Sequence, residues 1–126
     1  MKVSTLALLP ALLFCSCGSA PRDPDATYFS GDFAGSPLLL SIKQLDDSTV
    51  KGESDHKGQH LEMSGKRHSS ERGYVYTMRE IGQGRFSGVY EFEWDTTANM
   101  IFGSWVSIDS SSRTGVMYTL KPDSGK

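Results

Sequence analysis

From Tyr28 to Lys121 apolar residues recur at every second position, and turn-forming residues interrupt the pattern about every 10 to 14 residues. A period of two belongs to strands that bury one face, and no segment here carries the apolar stripe of a helix. The spacing predicts strands at Tyr28–Ala34, Leu38–Leu45, Thr49–Asp55, His60–Ser69, Tyr74–Ile81, Arg85–Trp94, Asn99–Ile108 and Arg113–Lys121. The connections Gly35-Ser36-Pro37, Asp46-Asp47-Ser48, Lys57-Gly58, Ser70-Glu71-Arg72-Gly73, Gly82-Gln83-Gly84, Asp95-Thr96-Thr97 and Asp109-Ser110-Ser111-Ser112 are all hairpin-sized. Eight antiparallel strands in an open sheet would leave two long unpaired edges. The expected fold is therefore all-β, an eight-stranded up-and-down meander closed or nearly closed into a barrel.

The alternation also assigns faces. Phe86, Gly88, Tyr90, Phe92 and Trp94 share one side of the sixth strand, whereas Ser87, Glu91 and Glu93 share the other. The same parity turns Leu38, Leu40 and Ile42 inward, with Val50 and Gly52, Leu61, Met63 and Gly65, Ile101, Gly103 and Trp105, and Val116, Tyr118 and Leu120. Glycines 52, 65, 88 and 103 each cost about 0.5–1 kcal/mol in a strand. Their expected role is to alternate with large side chains in a narrow interior.

Ahead of the barrel, Lys2 precedes an apolar run from Leu6 to Phe14, interrupted at Pro10 and followed by Ser16 and Cys17. The run is shorter than the roughly 20 residues that span a bilayer, and the order is that of a signal peptide. Phe14-Cys15-Ser16-Cys17 resembles the lipobox of bacterial lipoproteins, with Phe14 where leucine is commoner and small Ser16 directly before the cysteine. That resemblance implies cleavage before Cys17, a diacylglycerol on its sulfur and attachment to the bacterial cell envelope. Gly18 stands where the family's inner-membrane retention signal has Asp, which implies the outer membrane. The implied organisation is a signal peptide at 1–16, lipidated Cys17 and tether at 17–27, the barrel at 28–121 and a tail at 122–126. Residues 18–25, with two prolines, would reach roughly 25 Å as an extended spacer.

Losing residues 1–16 removes Lys2 and leaves 12 Lys plus Arg against 15 Asp plus Glu, a net charge of about −3 with the signs interspersed. That balance argues against a nucleic-acid surface. Cys15 leaves with the signal and Cys17 is acylated, so no thiol remains for a disulfide or thiolate metal site. In architecture the meander resembles small bacterial β-barrel lipoproteins and the avidin and lipocalin barrels. The lipocalin Gly-x-Trp triplet belongs near the first strand, whereas Gly103-Ser104-Trp105 lies in the seventh. The resemblance implies a fold and no ligand.

Meander parity places the loops at 46–48, 70–73 and 95–98 at the end that holds both termini. The loops at 35–37, 57–58, 82–84 and 109–112 lie at the other, membrane-distal end. His56, His60, Gln83, Arg85, Asp109 and Arg113 ring that distal rim, with Met78 and Trp105 facing inward below it; Glu80 joins them if Gly82-Gln83-Gly84 forms a three-residue bulged turn, and is otherwise solvated in the turn. The candidate ligand-binding residues are Glu80, Trp105, Tyr90, Gln83, Arg85 and Arg113. An eight-stranded barrel is only just wide enough to be filled by its own side chains, so Tyr76, Tyr90, Tyr118 and Trp105 either fill it or wall a cavity. His56 and His60, with Asp55, Glu62 or His68, do not converge as a zinc site requires, and no metal or other cofactor is expected. Glu91 and Glu93 point outward, Asp46 and Asp47 are turn residues, and no Gly-x-Ser-x-Gly elbow or phosphate loop is present, so no catalytic residue is assigned. The expected function is a membrane-anchored, non-enzymatic binding module for a small apolar or aromatic ligand or a partner at the distal rim. The alternative is a protein–protein role, as an envelope structural factor or an inhibitor of a cell-wall-degrading enzyme, acting through Ile81 to Phe86.

Overall fold

The computed structural model describes residues 22–81, 88–107 and 115–125. Within them run strands β1 (Thr27–Phe33), β2 (Ser36–Gln44), β3 (Thr49–His56), β4 (Gln59–Ser69), β5 (Gly73–Ile81), β6 (Gly88–Asp95), β7 (Met100–Ser107) and β8 (Gly115–Pro122). Each strand pairs antiparallel with the next and β8 returns to β1, so the eight-stranded meander closes as a barrel. The closing seam is short: only Phe29 with Pro122 and Ser30 with Lys121 form ladder pairs there.

Local chemistry sets the register. The β1–β2 turn is two residues, Ala34 (φ 54°) and Gly35 (φ 91°), rather than the expected three, and Ser36 and Pro37 join β2. Two successive positive φ values match the right-handed strand twist, as they do at Lys57 and Gly58 between β3 and β4. Pro37 is tolerated because it pairs only with Asp32 of β1, one residue past the point where β3 joins β2 at Leu38 and His56. Asp46 Oδ1 accepts from the Ser48 and Thr49 amides, and Asp95 Oδ1 from those of Thr97 and Ala98, so both carboxylates close their turns.

Every inward residue expected from parity within the described strands lies on the inner face, and Phe29 and Phe33 of β1 complete the core. The outer face carries Lys51, Glu53, Glu62, Lys66, Arg79 and Glu91, all exposed, which is opposite to a barrel that meets lipid. The glycines act differently from the expectation. A Cβ at Gly52, Gly65 or Gly103 would strike the backbone of the neighbouring strand, at Ser41, Thr77 and Glu91 respectively, so these positions let strongly coiled strands approach. Gly88 alone makes room for a side chain, the Trp105 indole.

Of the segment expected to be tether, residues 17–21 lie outside the described residues, and the rest folds onto the barrel. Asp23 accepts from Lys43 Nζ at 2.9 Å, the Asp23 amide donates to the Tyr28 hydroxyl, and Arg22 lies over the Tyr28 ring while pairing with Asp123 at 3.1 Å. The Asp123 amide donates in turn to the Tyr28 carbonyl, so residue 123 is also docked. This clasp sits over Ser41, which is buried although its parity turns it outward.

Candidate functional site

Among the described residues the barrel interior divides into a filled half and a hollow half. At the end holding the termini, Tyr76 stacks on Phe92 (centroids 4.9 Å apart, planes 17°), Tyr74 lies against Tyr76 and Trp94, and Phe29 meets Trp94 edge-on at 5.1 Å. Arg67 follows Leu61, Met63 and Gly65 in parity and therefore points inward, where its guanidinium sits 3.9 Å from the Tyr74 ring centroid. There it closes the aromatic layer as a cation over a π face. Burial pushes the Tyr76 hydroxyl up, and its hydrogen bond with Arg67 works against that shift.

At the opposite end lies a cavity of about 250 Å³ lined by Phe33, Ser54, His56, Leu61, Glu80, Tyr90 and Trp105, among others. Parity explains the void. At this level β3 turns inward only the small Ser54, while the space above Gly88 of β6 is taken by the Trp105 indole. Glu80 is the buried charge of the site, 8 % exposed. Trp105 Nε1–H donates to Glu80 Oε1 at 3.4 Å, and the Tyr90 hydroxyl and the Gly88 amide face the same carboxylate and favour its charged form. Burial outweighs these donors and pushes the Glu80 carboxyl above the usual carboxylate range. Burial likewise raises the hydroxyls of Tyr90 and Tyr118, with Glu80 adding to the effect at Tyr90. Ser54 hydrogen-bonds Tyr90, and the Tyr118 hydroxyl donates to the Ser104 carbonyl at 3.2 Å. The polar tips of the aromatic wall are thereby satisfied.

His56 belongs to this site more closely than its rim position suggested. Its ring packs edge-on against Phe33 at 4.9 Å, and Nε2 lies 3.0 Å from the Phe33 carbonyl, which can only accept, so Nε2 carries the proton. His60 faces away, with Nδ1 2.7 Å from Asp55 Oδ1 and Nε2 3.5 Å from Glu53 Oε1 on the outer surface. The pair is thus split between the two faces, and among the described residues no group of three His, Cys, Asp or Glu side chains could hold a metal. Of the candidate binding residues, Glu80, Tyr90 and Trp105 come together on one wall. Gln83, Arg85 and Arg113, like Cys17 and Asp109, lie outside the described residues. Phe33, Ser54 and Leu61 also line the cavity and were not singled out from sequence. For Ser54 the available signal was its parity with Val50 and Gly52. No family model, curated protein or solved structure matches the chain.

Proposed function

We propose that this protein is a lipid-anchored, non-enzymatic binding module whose membrane-distal cavity takes a small apolar or aromatic ligand. The observation that supports it is the volume of about 250 Å³ that the described residues leave open in a barrel type that its own side chains can fill. An apolar cavity of about 150 Å³ accepts benzene, so a substituted single ring is the matching size. Phe33, Tyr90 and Trp105 offer ring faces and edges, and Ser54, His56 and Glu80 supply the few polar groups that orient a ligand. The anchor rests on the order Lys2, Leu6 to Phe14, Ser16, Cys17. With both termini at the filled end, an anchor there leaves the mouth facing away from the membrane. The partner-binding alternative falls on the loop after Ile81, outside the described residues apart from Ile81 itself.

Trp105 reports directly on occupancy. In a Trp94→Phe variant the remaining tryptophan is Trp105, because the chain has 2. Titration with para-bromobenzyl alcohol, a ring-sized heavy-atom quencher, is expected to give saturable quenching. Linear quenching that matches free tryptophan would count against a binding cavity.

A further inference from the structure

The same cavity carries information about the charge of what it binds. Building on the pocket reading above, we infer that its ligand is an organic cation, a protonated amine or quaternary ammonium on a small apolar or aromatic body, held against Glu80. The argument has three parts.

Glu80 is more than nine-tenths buried on the cavity wall, and among the described residues the groups that face it, the Trp105 N–H, the Tyr90 hydroxyl and the Gly88 amide, are all neutral. Neutral donors orient a carboxylate but leave its charge in place, and a buried charge is costly until an opposite charge meets it. Second, a carboxylate offers about four lone-pair directions, and among the described residues the hydrogen bond that reaches it is the Trp105 N–H at 3.4 Å, which leaves directions for a ligand donor. Third, Phe33, Tyr90 and Trp105 present π systems whose faces are negative, and among the described lining residues there is no lysine or arginine. Carboxylate and rings therefore favour the same sign of charge, and an aromatic wall beside a desolvated carboxylate is the arrangement in which cation–π attraction is largest. Ligands bearing carboxylate or phosphate meet repulsion from both.

The test is a matched pair of probes, benzylammonium and benzyl alcohol, titrated calorimetrically at neutral pH into the wild-type protein and into Glu80→Gln. The two probes share a ring and differ in charge. Benzylammonium is expected to bind wild-type at least about tenfold more tightly than benzyl alcohol. In Glu80→Gln that advantage should fall to within about twofold, with benzyl alcohol still bound and its affinity changed by no more than the exchange of one hydrogen-bond partner. Equal affinity of the two probes for wild-type, or a preference for benzylammonium that survives in Glu80→Gln, would overturn the inference while leaving the cavity a binding site. Failure of both probes to bind wild-type would overturn the cavity reading itself, and the inference with it.

Discussion

Tyr76→Ala should lower the unfolding free energy by about 3–5 kcal/mol, a large part of the roughly 5–15 kcal/mol available to a domain of this size. Tyr76 is 1 % exposed and stacks on Phe92, its register partner on β6, while Arg67, its register partner on β4, hydrogen-bonds its hydroxyl. Removing the ring leaves a void in the layer that fills one half of the barrel and takes away a partner of the inward guanidinium. Leu61→Ala provides the comparison, because Leu61 is half-buried and already borders empty volume. Its cost should stay near 1 kcal/mol. Urea unfolding followed by circular dichroism measures both. Similar losses at the two positions would mean that the barrel is evenly packed, contrary to the division described above.

Glu80→Gln should do the opposite and raise stability at neutral pH by roughly 0.5–2 kcal/mol. Burial raises the carboxyl in the folded state above its ordinary value, so over that interval the folded protein holds a proton that the unfolded chain has released. Stability then falls as pH rises from the ordinary carboxylate range through the raised value, and the deficit is complete above it. Glutamine cannot ionise, so the gain of the variant should be absent in acid and grow across that same window. The hydrogen bonds from Trp105, Tyr90 and Gly88 oppose this outcome, since glutamine accepts fewer of them. The upward shift itself shows that desolvation outweighs them. Unfolding curves of both proteins from acid to neutral pH are the check. A gain that does not vary with pH, or a loss at neutral pH, would contradict a desolvated Glu80.

Much of this was legible in the sequence, because strand parity is a local property. The sixth-strand set Gly88, Tyr90, Phe92 and Trp94 faces inward as the alternation requires, whereas the sequence leaves Glu80 open between the interior and the turn, and it is the run of β5 on to Ile81 that keeps it in parity with Tyr76 and Met78. Arg67 shows where the pattern misleads. Its parity with Leu61, Met63 and Gly65 points inward, but its charge suggests solvent, and only the Tyr74 face across the pair resolves the conflict. Buried Ser41 is a second case, since parity turns it outward and the cover over it comes from residues 22–26, whose prolines and acidic residues read as linker. The hollow half could not be read at all. Whether Ser54 leaves a void depends on which inward residues share a level around the barrel, and that level is set by the stagger of all eight strands rather than by any one of them.

A high-resolution crystal structure of the protein from crystals soaked with benzyl alcohol tests the half-hollow barrel most directly. The account predicts density for the ring beside Trp105 and Tyr90, within hydrogen-bonding reach of Glu80, and no ring in the Tyr76–Phe92 layer. Side chains from 82–87 or 108–114 filling that volume, with space left for no more than one water, would contradict it.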